Sequence, residues 1–322
     1  MPLIEPSSYV PPAFLRSGHA QTVFPSVART VRGVRYRRER IQTPDDDFLD
    51  LDWSVAESDR MIVIAHGLEG SSDRTYILGL VRACNRAGWD ALAWNFRACS
   101  GEMNRQRRLY HSGETGDLNL ILAHVRSLGR YRQLAVAGFS LGGNLTLKYL
   151  GELGAASPSD LVAGIVFSVP CDLATSSIRM AAPENAFYMR RFLRDLRGKI
   201  RGKQAQFDDV PDDTGFETIR TFMEFDERFT APLHGFSSAM DYYTKSSSRQ
   251  YLSKIRVPTL LINAMDDPFL SPECFPREEA TANPWLHLEA PEHGGHCGFV
   301  QFNREGEYWS EHRAVEFLGG RS

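Results

Sequence analysis

The sequence predicts an α/β protein in which a mostly parallel sheet has helices on both faces and carries a largely helical cap. Three observations lead to this fold class. Continuous apolar runs typical of buried strands alternate with helical patterns along most of the chain. This alternation stops between about 173 and 252 and then resumes, which indicates an insertion. The apolar run at 134–139 ends in a glycine-rich turn that leads directly into a helical pattern.

Length and composition limit the class of protein further. A chain of 322 residues can form one large α/β domain with an insertion. We expect an N-terminal arm and the first part of the core over 1–172, a cap over 173–252, and the rest of the core over 253–322. With 42% hydrophobic and 24% charged residues, the composition is that of a globular protein. A net charge of -3 gives no reason to expect a nucleic-acid partner.

The cysteines and the N-terminus indicate a compartment. The five cysteines are scattered and include no C-x-x-C pair, which argues against a disulfide framework or a zinc site. The N-terminus lacks the basic and apolar regions of a signal peptide. No apolar run is long enough to span a membrane. We therefore expect a cytoplasmic protein without an integral membrane segment.

The N-terminal part of the chain predicts an arm and a hairpin. Prolines are frequent up to Pro25, so this segment is predicted to be an extended arm. Arginines recur among apolar residues over 29–41, and an alternating pattern over 48–53 follows a turn. These patterns predict an antiparallel hairpin whose second strand is half-buried.

The rest of the chain predicts the parallel sheet and the cap. Strands are predicted at 61–65, 89–96, 134–139, 161–167, 257–263 and 285–289. Helices are predicted at 74–86, 114–128, 141–150 and 308–317, and within the insertion at 185–198, 218–225 and 235–243. Residues 190–201 form an arginine-rich amphipathic helix. We favour a solvated face for it, with weak membrane-surface contact as the alternative.

The turn after the 134–139 strand has the pattern of a nucleophile elbow, Gly138-x-Ser140-x-Gly142. A serine at the apex of a strained strand-to-helix turn leaves room only for small residues two positions before and after it. The following helix directs its N-terminal dipole and free N–H groups toward Ser140, which favours the negative charge that forms during acyl transfer.

An acid and a histidine follow later strands in the order that α/β-hydrolase triads show. We expect Asp267 to be the acid because it lies in the turn after its strand, with Asp266 orienting the loop or capping a backbone N–H instead. His296 lies among glycines after the last strand, and His293 is a competitor. The pair His293 and His296 lacks a third ligand motif, so no metal is expected.

Two backbone N–H groups complete the predicted site. The N–H of Leu141, directly after the nucleophile, is one expected oxyanion donor. The N–H of Leu68, in the loop after the 61–65 strand, is the other. His66 begins this loop, and we expect it to pack the loop without a catalytic role.

Several motifs together show that the chain resembles the YheT-like hydrolases, in the AB hydrolase 4 family of the α/β-hydrolase superfamily. The motifs are SGHAQT (17–22), HGLEG (66–70), NFRACSG (95–101), GFSLGGN (138–144), FDERFTAPLHGF (225–236), NAMDDP (263–268) and GGHCGF (294–299). The resemblance covers nearly the whole chain. It implies the α/β-hydrolase fold, a triad of Ser140, Asp267 and His296, and activity on carboxylic esters. Ala98 departs from the family's usual glycine, with little expected consequence.

The predicted function is therefore serine-dependent hydrolysis of small-molecule acyl esters, of short to medium chain length, without metal or organic cofactor. Acyl transfer to an alcohol or thiol would use the same acyl-enzyme, so the sequence leaves that alternative open. A non-catalytic ligand-binding protein on the same fold is a more distant alternative, because such proteins usually lack a triad member.

Overall fold

The computed structural model describes residues 2–320, and its strands form one sheet. In chain order the strands are Leu3–Ile4 (β1), Arg37–Gln42 (β2), Phe48–Ser54 (β3), Arg60–Ala65 (β4), Asp90–Asn95 (β5), Gln133–Phe139 (β6), Leu161–Phe167 (β7), Thr259–Ile262 (β8) and Leu286–Glu289 (β9). Their spatial order is β1-β9-β8-β7-β6-β4-β5-β3-β2. Strand β3 pairs antiparallel with β2 and β5, and the other described pairings are parallel. This confirms the mostly parallel sheet.

Helices cover both faces of the sheet and fill the insertion. They are Gly18–Ala28 (α1), Thr75–Arg86 (α2), Thr115–Ser127 (α3), Leu141–Leu153 (α4), Leu173–Met180 (α5), Ala186–Gln204 (α6), Phe222–Phe225 (α7), Ala231–His234 (α8), Ala239–Ser246 (α9), Arg277–Ala282 (α10) and Trp309–Gly319 (α11). A turn of π-helix, Asp226–Thr230, joins α7 to α8. Helices α5 to α9 lie within the predicted insertion, where the structure describes no strand.

Alternation along the central strands explains their continuous apolar runs. On β4, Ile62 and Ile64 belong to the core cluster that includes α2 and α11, whereas Met61 and Val63 belong to the cluster that includes α3 and α4. A parallel strand covered by helices on both faces must be apolar at every position. Because parallel strands end at the same edge, the loops after β4, β6, β8 and β9 lie on one side of the sheet.

Strand β3 is more buried than its sequence predicts. The expectation of a half-buried strand is wrong, because every residue from Phe48 to Ser54 is buried. Arg40 lies opposite Asp50 in the antiparallel register and binds it at 2.7 and 2.8 Å, and Arg38 binds Asp52 at 2.8 Å through two nitrogens. These guanidinium groups cover carboxylates that the alternating pattern assigned to solvent.

The N-terminal segment also differs from its prediction. The expectation of an extended arm up to Pro25 is wrong from Gly18 onward, because α1 begins there and continues past Pro25 to Ala28. The predicted strand over 29–41 begins only at Arg37. Tertiary contacts of α1 with the C-terminal part of the chain, described below, outweigh the low helix propensity of proline.

The arginine-rich helix α6 forms ion pairs along its surface. Arg197 and Arg201 both bind Asp213 at 2.7 Å, and Arg194 binds Asp195 at 2.9 Å. This internal pairing supports the solvated-face interpretation over membrane-surface contact. Within residues 2–320, no helix is long and apolar enough to cross a membrane.

Candidate active site

Ser140 lies at a strained turn between β6 and α4. Its backbone has φ 54° and ψ -119°, in a region that residues other than glycine rarely occupy. The flanking glycines are required by close backbone contacts. A Cβ at Gly138 would lie 2.3 Å from the carbonyl oxygen of Gly142, and a Cβ at Gly142 would lie 2.4 Å from that of His66. The spacing of the elbow motif follows from these contacts.

Asp267 and His296 form a direct pair. The Nδ1 atom of His296 lies 2.9 Å from Oδ2 and 3.1 Å from Oδ1 of Asp267, whose side chain is fully buried. The N–H of Phe269 also donates to Asp267 Oδ1 at 2.9 Å. Since an ionised carboxylate can only accept hydrogen bonds, Nδ1 of His296 carries the proton. In its neutral form, the imidazole therefore presents Nε2 as an acceptor.

The electrostatic environment of His296 has two opposing effects on its pKa. Burial alone would lower the pKa, whereas the negative carboxylate of Asp267 and the contact with Cys297 raise it. The net effect is a pKa above the ordinary value of 6.5. The site therefore stabilises the imidazolium that forms when His296 accepts a proton.

Asp266 is the neighbouring carboxylate. It contacts other residues of the loop over 293–300 that carries His296, called the histidine loop below, and not His296 itself. Its Oδ1 accepts a hydrogen bond from the N–H of Gly295 at 2.8 Å, and its Oδ2 lies 3.4 Å from Nδ1 of His293. Of the two adjacent aspartates, Asp267 is thus the one that the structure brings to His296. The two histidines bind different aspartates. Within residues 2–320, no group of three or more His, Cys, Asp and Glu side chains could hold a metal ion.

Side chains from three distant segments hold the loop that carries His296. Its backbone has positive φ at Gly295 (56°), Cys297 (59°) and Phe299 (46°), so it cannot form a regular hydrogen-bond ladder. Four of the loop N–H groups instead donate to side-chain oxygens: Gly295 to Asp266, His296 to Thr22 at 2.9 Å, Cys297 to Ser168 at 2.8 Å, and Val300 to Gln21 at 2.9 Å. No strand, helix or elbow pattern in the sequence predicts a role for Gln21, Thr22 and Ser168. The SGHAQT motif was the signal for the first two.

Helix α1 is packed closely against this loop. A Cβ at Gly295 would lie 2.3 Å from the carbonyl oxygen of Gly18, and a Cβ at Gly298 would lie 2.5 Å from that of Gln21. The amide of Gln21 also donates to the hydroxyl of Tyr9 at 2.8 Å and the carbonyl of Leu15 at 2.7 Å. The N-terminal segment therefore supports the position of His296.

The 66–70 loop follows β4 and has most of its N–H groups occupied. Gly67 donates to the hydroxyl of Tyr76 at 3.1 Å, and Glu69 donates to the hydroxyl of Tyr110 at 2.9 Å. Gly70 donates to the carbonyl of Gly67 at 3.0 Å. The N–H of Leu68 has no hydrogen-bond acceptor in the part of the chain that the structure describes.

His66 fixes this loop from inside the core. Its ring is fully buried, and its Nδ1 lies 2.7 Å from the carbonyl oxygen of Gly67. Nε2 accepts from the N–H of Phe96 at 3.1 Å. Burial lowers the pKa of His66 to about 3, so the ring is neutral. These contacts involve both ring nitrogens and agree with a packing role.

One cavity of about 140 Å³ brings the predicted site residues together. Ser140, His296, Leu68 and Leu141 all line it. Among the hydrogen bonds within residues 2–320, none joins the Ser140 hydroxyl to His296. In unliganded sites such bonds are often long and shorten when substrate binds. Much of the remaining lining is apolar and comes from the helical insertion, including Leu173, Met180, Phe192, Leu196, Ile200, Phe222, Phe225, Phe229 and Leu233.

A parallel sheet, a serine elbow after β6, and an Asp–His pair contributed by the loops after β8 and β9 together define the α/β-hydrolase class. Comparison with known proteins agrees. The family model described as "alpha/beta hydrolase fold" matches residues 60–302. The chain belongs to this family, among its esterase- and lipase-like members.

Individual relatives support this assignment. The chain is 35% identical to YheT of Escherichia coli (strain K12), named as a candidate esterase, over 97% of this chain and 93% of that protein. It is 31% identical to "Phospholipase ABHD3" of Mus musculus, over 91% of this chain and 74% of that protein. The solved esterase Pf2001 of Pyrococcus furiosus superposes with a TM-score of 0.60 at 17% identity, over 91% and 98% of the two chains, and so is similar in fold.

Proposed function

We propose that this protein is a serine hydrolase that cleaves short- to medium-chain carboxylic esters through an acyl-enzyme. The observation that carries the proposal is the contact of Asp267 with His296, which lines the same cavity as Ser140 at its strained turn. In this mechanism His296 Nε2 accepts the proton of Ser140 as the hydroxyl attacks the ester carbonyl. Asp267 holds the imidazole in the required tautomer and stabilises its charged form.

Two backbone N–H groups would bind the developing oxyanion. Leu141 begins α4, so its N–H belongs to a helix N-terminus, where negative charge is favoured. Leu68 lines the cavity, and its N–H lacks an acceptor within residues 2–320. His296 would then return its proton to the leaving alcohol, and water would release the acid in a second cycle of the same steps. We also propose that residues 173–252 act as the cap, since they supply much of the cavity lining.

Replacement of the serine tests the proposal. Ser140→Ala should lower the turnover of a p-nitrophenyl ester by on the order of a millionfold. A fluorophosphonate probe should label Ser140 in the parent protein and leave the variant unlabelled. Ser176→Ala is the matched control, because Ser176 lines the same cavity from α5 but lies outside the elbow. A loss of less than about tenfold in Ser140→Ala would refute the assignment.

The acyl chain length and the acceptor need separate measurements. A series of esters with increasing acyl chain length should show a maximum at short to medium chains, because the cavity is small and apolar. A flat profile would contradict a closed acyl pocket. Product analysis with an added alcohol separates hydrolysis from acyl transfer, since only transfer yields a new ester.

A further inference from the structure

The cavity wall formed by α7, the π-helix and α8 carries polar groups that the proposed mechanism does not use. Asp226, Thr230 and His234 are spaced four residues apart along this helical segment, and all three line the cavity. Residues at this spacing lie on one face of a helix, so they form a polar stripe between apolar neighbours such as Phe229 and Leu233. We infer that this polar stripe is a subsite for a free hydroxyl group of the ester substrate. The inference rests on the proposed function.

His234 is the part of the polar stripe that most needs a ligand. Its ring nitrogens make no hydrogen bond or ion pair with any residue from 2 to 320. The described contact of the ring is an edge-to-face packing on His111, with centroids 4.8 Å apart. A neutral imidazole has one N–H donor and one acceptor nitrogen. His234 is half-buried and lines the cavity, so these two unpartnered positions are open to a polar ligand group there.

Asp226 is a carboxylate without a cationic partner among the described residues. Its Oδ1 accepts from the hydroxyl of Thr230 at 2.5 Å, and its Oδ2 accepts from the hydroxyl of Tyr243 at 2.7 Å. A carboxylate can accept about four hydrogen bonds, so about two positions stay open. Asp226 is also the first residue of the π-helix, and π-helical turns are frequent at functional sites.

The charges of this wall favour a neutral hydroxyl over other polar groups. Burial lowers the pKa of His111 to about 3 and that of His234 well below 6.5, so both rings are neutral. An anionic group would therefore meet the carboxylate of Asp226 without a compensating cation on the polar stripe. An ammonium group could donate to Asp226 but could not accept from the imidazole N–H. A hydroxyl can accept from the N–H of His234 or donate to its other ring nitrogen, and it can alternatively donate to Asp226, so it fits either end of the polar stripe without adding a charge.

The polar stripe is connected to the nucleophile's own helix. His111 packs on His234, and its neighbour Ser112 accepts a hydrogen bond from the amide of Asn144 at 2.9 Å. Asn144 lies one turn of α4 beyond Ser140, which is about 6 Å along the helix. Because Ser140 and His234 also line the same cavity, a molecule whose ester group lies at Ser140 can place another of its groups against His234.

Matched ester pairs that differ by a hydroxyl in place of a methyl group test this inference. One pair is the 2-hydroxyethyl and propyl esters of the same acid, and another is the methyl esters of an ω-hydroxy acid and its methyl-terminated analogue. In the parent protein, kcat/KM should favour the hydroxyl member by roughly tenfold in at least one pair. His234→Phe keeps an aromatic ring against His111 and should bring that ratio to about one. Leu233→Met, a matched apolar neighbour, should retain the parent ratio.

The outcomes separate this inference from the proposed function. A ratio of about one in the parent protein for every pair would overturn the polar stripe as a hydroxyl subsite. An unchanged kcat/KM ratio in both His234→Phe and Asp226→Asn would also overturn the hydroxyl subsite. If His234→Phe does not fold, Asp226→Asn still tests the inference. A choline ester that outcompetes the hydroxyethyl ester would show a cation subsite instead. If none of the esters is hydrolysed, the proposed function itself fails.

Discussion

Lys199 of α6 makes the contact that we expect to hold the 66–70 loop in its active conformation. Its Nζ lies 2.9 Å from Oε1 of Glu69 and 2.8 Å from Sγ of Cys99, and both charged side chains are nearly buried. Glu69 has φ 53°, a left-handed conformation that costs a non-glycine residue roughly 1–2 kcal/mol and needs support from its surroundings. The N–H of Leu68, directly before Glu69, is the proposed oxyanion donor.

Lys199→Met removes the charge and keeps most of the aliphatic stem. Loss of one partner from a buried ion pair costs about 3–5 kcal/mol, because the other charge stays buried. The remaining contact of the Glu69 carboxylate is then the hydroxyl of Tyr110, at 2.6 Å. Loss of one oxyanion donor lowers kcat by about 10²–10³-fold. Since the loop would be displaced only part of the time, we expect kcat to fall about tenfold to a hundredfold, with a small change in KM.

Lys203, one turn further along α6, gives a matched control. Its Nζ donates to the carbonyls of Asn104 and Gln106 at 2.5 Å, so it also binds α6 to a segment outside the insertion but makes no described contact with the 66–70 loop. Lys203→Met should lower the melting temperature and leave kcat nearly unchanged. Steady-state kinetics and thermal unfolding of both variants, with Lys199→Arg as a conservative rescue, decide the question. If the two methionine variants lose stability and kcat in parallel, Lys199 has no positioning role.

Three further predictions concern the histidine loop and one strained residue. In Asp267→Asn, kcat should fall about ten-thousandfold and the acidic limb of the pH–rate profile should move to lower pH. Activity needs the neutral imidazole, and the carboxylate is what raises the pKa of His296; an unshifted limb would contradict this. Thr22→Val removes the acceptor of the His296 N–H. It should lower the free energy of unfolding by about 1–3 kcal/mol and lower kcat at constant KM. An unchanged kcat would contradict a positioning role for Thr22. Ala98→Gly should raise the free energy of unfolding from urea titration by about 0.5–1 kcal/mol, because Ala98 has φ 61°, and a lower free energy would contradict the strain.

The sheet could be predicted well from the sequence, because each central strand gives a recognisable pattern of apolar residues over a short stretch of chain. The strands at β4, β6 and β7 follow from continuous apolar runs, and their observed bounds agree with the predicted ones within a residue. The elbow at Ser140 was equally local, since its glycines are required by contacts within a few residues and with the adjacent loop after β4.

Other features depend on contacts between residues that are distant in sequence, and local sequence patterns do not identify such contacts. The burial of β3 depends on which arginines lie opposite Asp50 and Asp52, a matter of register between strands. Helix α1 depends on its contacts with the histidine loop. Whether Asp266 or Asp267 meets His296 depends on how the turn after β8 directs two adjacent side chains, which spacing alone left open.

Helix α1 supports the position of His296 although it lies more than 250 residues earlier in the chain, and the backbone of the histidine loop explains why this support is needed. A loop with repeated left-handed residues satisfies few of its own N–H groups, here that of Phe299, and unsatisfied buried N–H groups are costly. Their acceptors come from Thr22 and Gln21 of α1 and from Ser168 after β7, in addition to Asp266. Local separation of α1 would therefore expose several loop N–H groups at once and release His296 while the sheet stays folded. The position of the proposed base is thus set by the N-terminal helix as well as by the strand that precedes it.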